Sequence, residues 1–123
     1  MKNANLKTFE LLSPKYERDN IKLGLSRIKK ALQELGNPCK NIPAIQIIGT
    51  NGKGSIAAYL ESILFEAKRN FGVTTSPHLL DVCERIRVNK KNIKKTDFEK
   101  IYRLIEKNFS TYELTPFEKI ICL

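Results

Sequence analysis

Apolar positions recur along this chain in two rhythms, and each predicts its own kind of element. Between about 16 and 35, Ile21, Leu25, Ile28, Leu32 and Leu35 are spaced three or four residues apart, which lays one stripe along a helix. Gly36 supplies a C-terminal stop, and Asn37-Pro38 follows it. Residues 44–48, Ala-Ile-Gln-Ile-Ile, are mostly apolar and lie between Pro43 and Gly49, the pattern of a buried strand. Ile56, Leu60, Ile63, Leu64 and Ala67 give a second helical stripe, and 71–75 reads as a second strand. Strand, Gly-rich turn, helix and strand form a βαβ unit. The expected fold class is therefore α/β, with a parallel sheet flanked by helices.

The second half is less regular at first. Residues 84–93 alternate loosely through Ile86, Val88 and Ile93, which suits either a hairpin or an irregular extended loop. Thr96 with Glu99 makes a capping box for a third helix, with Phe98, Ile101, Ile105 and Phe109 on its buried face. Thr115, Pro116 and Glu118 read as the N-cap, N1 and N3 positions of a fourth. That helix has room for about two turns before Leu123 and leaves Ile120, Ile121 and Leu123 without an obvious partner. The expectation is an N-terminal lead-in over 1–15, then one domain from 16 to 123 that continues in a larger protein.

Composition narrows the class. At 123 residues and 41% hydrophobic, the chain has the size and make-up of one folded domain. No apolar run reaches the roughly 18 residues a membrane span needs, and the first nine residues lack the apolar core of a signal peptide. Cys39, Cys83 and Cys122 are odd in number and widely spaced. They show neither metal-ligand spacing nor a disulfide framework, which favours the cytoplasm. The net charge of +9 invites a nucleic-acid reading. However, Lys, Ile and Asn number 16, 14 and 10, a bias expected of A/T-rich codons. No aromatic residues interleave with the basic ones. Neither nucleic acid nor membrane is the expected partner. The basic surface suits anionic ligands such as nucleotides.

The candidate chemistry lies at Gly49, Thr50, Asn51, Gly52, Lys53, Gly54 and Ser55, between the predicted strand and helix. Glycines there let backbone N–H groups converge on phosphate oxygens, and a helix N-terminus adds partial positive charge. Lys53 can reach the terminal phosphates and Ser55 can hold Mg2+. The spacing departs from the usual phosphate loop, because Ile47 stands five residues before Gly52.

This shortened loop resembles the ATP loop of the Mur ligase superfamily. Leu23-Gly24-Leu25-Ser26-Arg27-Ile28, with Leu35-Gly36-Asn37-Pro38, resembles the helix before that loop in folylpolyglutamate and dihydrofolate synthases. Thr75-Ser76-Pro77-His78-Leu79, then Glu84-Arg85-Ile86-Arg87-Val88-Asn89, is similar to that family's next signature, and Leu114-Thr115-Pro116-Phe117-Glu118 to the one after. The resemblance implies an ATP-dependent ligase that phosphorylates a carboxylate of dihydropteroate or of a folate. The amine of L-glutamate then attacks the acyl phosphate. The fold implied is part of a Mur-ligase-like central domain. The parent implied is a monomer, and its remaining residues are needed for activity.

By the same resemblance, residues 49–55 hold ATP, with Lys53 as the catalytic cation, while Ser55 and Glu118 hold Mg2+. Ser76, Pro77, His78 and Arg85 belong to the loop near the folate. The basic stretch of Arg85, Arg87, Lys90, Lys91, Lys94 and Lys95 is read first as a solvated surface and second as an attractor of folate carboxylates. Cys39 and Cys83 are expected to pack as small apolar side chains. Tyr59 and Tyr102 are expected at core or boundary positions. The family's helix after the loop ends in Gly; Lys68 stands there in this chain, so that turn is expected to differ. Two other readings stay open: a cell-wall Mur-type ligase, and a non-catalytic phosphate- or nucleic-acid-binding module.

Overall fold

The computed structural model describes residues 21–123; the expected lead-in over 1–15 and the first five positions of the expected helix lie outside them. The described chain divides into two units. One joins the residues up to Ile42 with Thr96–Leu123, and the other is Pro43–Lys95.

In the first unit, α1 runs over Ser26–Glu34 and buries Ile28 and Ala31. It starts later than the periodicity predicts. Residues 21–24 are irregular, with Gly24 at φ +100°, a conformation that stops a helix from extending backward. Ile21 and Leu25 therefore lie exposed. The stop falls where expected. Gly36 is left-handed at φ +77°, its N–H bonds to Gln33 O, and the Asn37 N–H bonds to Leu32 O. This is the paired closure of a Schellman motif. Helix α3, Lys95–Asn108, buries Phe98, Tyr102 and Ile105; Phe109 is also buried and Ile101 is half-buried. Thr96, expected as the N-cap, falls inside this helix. Helix α4, Pro116–Ile121, has the expected capping box between Thr115 and Glu118 with Pro at its start. Ala31, Ile105, Phe109 and Leu114 form the core, and Leu35, Ile101, Tyr112 and Cys122 pack against it. Each large apolar side chain buried there contributes about 1.5–3 kcal/mol.

In the second unit, α2 spans Lys53–Glu66. A three-stranded sheet follows, made of β1 (Gly72–Thr74), β2 (Ile86–Val88) and β3 (Lys91–Asn92). A 3-10 turn over Val82–Arg85 precedes β2. The sheet order is β1-β2-β3 and both pairings are antiparallel, with Val73 opposite Arg87 and Arg87 opposite Asn92. The βαβ expectation is therefore not met among the described residues. Residues 44–48 enter no ladder, and Ile45 and Ile48 are 70% and 84% exposed. An apolar segment becomes a strand only when another strand takes up its N–H and C=O groups. Strand β1 instead finds its partner close by in sequence, in β2. The hairpin reading of 84–93 holds: Asn89 and Lys90, both left-handed, turn β2 into β3.

The buried face of α2 also differs from the predicted stripe. Ala57 and Glu61 are buried, Leu60 and Leu64 are half-buried, and Ala67 is exposed. Ile56, Tyr59 and Ile63 also point to solvent. The helix has turned a polar anchor inward, because Glu61 meets an arginine of the sheet. Tyr59 and Cys39 are thus exposed against expectation, whereas Tyr102 and Cys83 are buried. Lys68 does not change the helix end. It takes φ +53°, its N–H bonds to Phe65 O, and the Arg69 N–H bonds to Leu64 O, as a glycine there would allow.

Candidate functional site

The Gly-rich turn sits at the head of α2. Gly52 is the N-cap, left-handed at φ +76°, with no side-chain cap. The first helical bond comes from Ile56 N to Gly52 O, so the N–H groups of Lys53, Gly54 and Ser55 precede the helical ladder. A methyl group added at Gly52 or Gly54 would meet nothing within 4 Å, so this face is open to a ligand. Lys53 folds back over the turn, and its ammonium donates to Gly49 O and, at 3.0 Å, to Thr50 O. Thr50, Asn51 and Ser55 are exposed. Free N–H donors, a helix N-terminus and one ammonium over an open turn fit an anionic phosphate chain.

A second loop, 76–84, is held by its own acidic residues. The Ser76-Pro77 bond is cis. Glu84 accepts from the N–H groups of Leu79, Leu80 and Asp81 at 2.8–3.0 Å, and Asp81 Oδ1 accepts from Cys83 N at 2.8 Å. Together they form a capping box. The N–H groups of Leu79 and Asp81 hold the Glu84 carboxyl below its ordinary value. The Cys83 N–H does the same for Asp81. The peptide N–H groups of Leu79 and Leu80 are engaged, yet their side chains are 89% and 93% exposed. His78 is half-buried and accepts at Nδ1 from Arg85 Nε at 2.9 Å. Arg85 is only 1% exposed. Its expected place on a solvated basic surface is corrected. Arg87 is withdrawn from that surface as well, ion-paired with buried Glu61. Lys90, Lys91, Lys94 and Lys95 are exposed as expected.

Glu118 belongs to the first unit. It is buried, accepts from Thr115 N at 2.8 Å and receives Arg27 Nε and Nη2 at 3.3 Å. Burial is the largest single influence and pushes its carboxyl up. The Thr115 N–H and the Arg27 guanidinium outweigh it, so the carboxyl sits below its ordinary value. An ionised carboxylate has about four lone-pair sites and can take a further ligand, and its hard oxygens suit Mg2+. Among the described residues no three His, Cys, Asp or Glu side chains gather as a metal site.

Sequence reasoning missed Glu61, Asp81 and the structural roles of Arg27 and Arg87. Asp81 and Glu84 carry a readable capping signature three residues apart. Glu61 carries none, because a glutamate on a helix reads as solvent-facing until its partner is known.

No family model matches the chain. The dihydrofolate synthetase of Saccharomyces cerevisiae is 40% identical over 104 residues, covering 83% of this chain and 24% of that protein. The folylpolyglutamate synthase of Thermotoga maritima superposes with a TM-score of 0.76 at 35% identity, covering 95% of this chain and 29% of that one. The bifunctional folylpolyglutamate synthase/dihydrofolate synthase of Yersinia pestis, complexed with AMPPNP and Mn ion, gives 0.74 at 36% identity, covering 84% and 25%. The chain thus spans about a quarter of the length of the relatives it matches. The fold is that of a Mur-ligase-like protein. Within that class, the relatives it matches are dihydrofolate synthases and folylpolyglutamate synthases.

Proposed function

We propose that the chain is the ATP-loop part of a ligase that adds L-glutamate to dihydropteroate, to the γ-carboxyl of folates, or to both. The observation that carries this reading is the open turn 49–55 at the head of α2, with Lys53 poised over it. The 40% identity to a dihydrofolate synthetase supports it. ATP supplies the phosphoryl group that activates the carboxylate, and Mg2+ neutralises its charge. The N–H groups of Lys53, Gly54 and Ser55 bind phosphate oxygens, and Lys53 leaves its carbonyl partners to meet them. Ser55 is proposed as a hydroxyl ligand to Mg2+. Glu118 is proposed as a carboxylate ligand that shares its oxygens with the cap. Ser76, Pro77 and His78 shape the loop facing the pterin or folate, and Arg85 fixes His78 rather than touching substrate.

In the complete protein, 44–48 is proposed to enter a parallel sheet whose other strands come from residues beyond this chain. The parent is proposed to be monomeric and cytoplasmic. No helix among the described residues is long and apolar enough to cross a membrane. The test is an assay of the complete reading frame for phosphate release from ATP, with dihydropteroate or tetrahydrofolate as acceptor and with and without L-glutamate. Glutamate-dependent release with either acceptor is expected. Release with neither acceptor, from a folded protein that binds ATP, would overturn the substrate assignment.

A further inference from the structure

Arg87 divides one guanidinium between the elements that carry the two candidate loops. Its backbone is fixed in the middle strand, opposite Val73 on one side and Asn92 on the other. Nε donates to Glu61 Oε1 at 3.1 Å and Oε2 at 3.2 Å, and Nη2 closes the fork on Oε1. Nη1 reaches the other way, to Glu84 O at 2.8 Å and Thr75 Oγ1 at 3.3 Å. Glu61 is 6% exposed and sits in α2, the helix whose first turn is the phosphate loop. Glu84 is the residue whose carboxylate gathers the N–H groups of the 76–84 loop.

A buried carboxylate must keep its cation, and a two-point fork tolerates little displacement. Helix α2 moves or stiffens as a unit, so a change at its head is felt at Glu61, in its third turn. Through Arg87 that change reaches both Thr75, where the loop leaves β1, and the Glu84 carbonyl, where it ends. Two further contacts from α2, Ser62 Oγ with Lys90 Nζ at 3.3 Å and the Phe65 ring under Lys90 Nζ at 5.4 Å, hold the 89–90 turn instead.

We propose that Arg87 is a positioning residue that couples occupancy of the phosphate loop to order in the 76–84 loop. The proposal rests on the reading of 49–55 as an ATP loop. Nucleotide bound at the head of α2 tightens the loop assigned to the folate, so the second substrate meets an ordered site only when the first is present. This is positive coupling between two sites through one shared element.

Amide hydrogen exchange on the complete protein tests it, with Mg2+ and AMPPNP present or absent. In the wild type, nucleotide is expected to slow exchange at 53–56 and, by about tenfold, at Leu79, Leu80 and Asp81. In Glu61→Gln the slowing at 53–56 should persist while that at 79–81 is lost; Arg87→Lys, which keeps the charge but not the fork, should behave alike. The ratio with and without nucleotide is decisive, because a merely structural role raises exchange equally in both states. An unchanged ratio at 79–81 in both variants overturns the coupling, as does wild-type protection confined to 53–56. No protection at 53–56 in the wild type overturns the phosphate-loop reading itself, and the coupling with it.

Discussion

Arg27 and Glu118, 91 positions apart, meet as an ion pair at 3.3 Å on the same carboxylate that caps α4. One glutamate thus joins α1 to α4 and ends the orphan N–H of Thr115. Removing the guanidinium by Arg27→Ala leaves a largely buried charge with only its cap, a loss of about 1–3 kcal/mol. Chemical denaturation at neutral pH measures it.

The same carboxyl gives a pH dependence of definite sign. An ordinary glutamate titrates near 4.5, and Glu118 lies lower in the folded chain. The unfolded chain therefore binds the proton more readily. The contribution is whole above about 4.5 and is lost as pH falls through the depressed folded value. The melting temperature should fall below that pH, and it should fall less steeply in Glu118→Gln. Equal slopes for the two proteins would remove Glu118 from the explanation and leave Asp81, Glu84 and Glu113, which are depressed as well.

Lys53 and Ser55 are tested in the complete enzyme. Lys53→Ala removes the ammonium over the loop and should raise the barrier by about 3–4 kcal/mol, seen as a fall of about two to three orders of magnitude in kcat. Ser55→Ala should raise the Mg2+ concentration needed for half-maximal rate while leaving the melting temperature unchanged. Near-wild-type kcat in both variants contradicts the loop assignment. The 123-residue chain alone should show no glutamate-dependent phosphate release.

The two helix ends make a matched pair. Gly36 and Lys68 both hold the left-handed position, at φ +77° and +53°. For a residue with a side chain that conformation costs about 1–2 kcal/mol, partly offset because glycine gains freedom when unfolded. Lys68→Gly should therefore stabilise the chain by about 0.5–1 kcal/mol. Gly36→Ala, with nothing within 4 Å of the added methyl, should destabilise it by about 1 kcal/mol through backbone strain alone. Paired denaturation curves check both signs.

What the sequence disclosed and what it hid divide along a physical line. Gly36, the Thr115-Pro116-Glu118 cap and the 49–55 turn are local devices, each complete within a few residues, and each was legible. The burial of Ile105 and Phe109 follows from helical spacing that needs no knowledge of the partner. The inward turn of Glu61, the pairing of β1 and the exposure of 44–48 depend on which distant group is opposite. Arg87 and Glu61 lie 26 positions apart, and neither carries a mark of the other. Periodicity registers that a face is apolar; it does not register which side of the helix its neighbours will cover.

The exposed apolar residues have consequences for the chain in solution. Ile45 and Ile48 lie on a segment outside any ladder, and Ile56, Tyr59 and Ile63 are exposed on α2. Unpaired N–H and C=O groups on an apolar segment recruit another strand, and apolar area of this kind favours association. A net charge of +9 opposes it, but repulsion between exposed charges is screened beyond about 8–10 Å at ordinary salt. Burial should therefore win as ionic strength rises, with oligomers growing across a salt series followed by light scattering. Ile45→Lys with Ile48→Lys places charge on the segment itself and should hold the protein monomeric to higher salt. Monodisperse wild-type protein at about 0.5 M salt, where the screening length is a few ångströms, would mean that the exposed segment does not drive association.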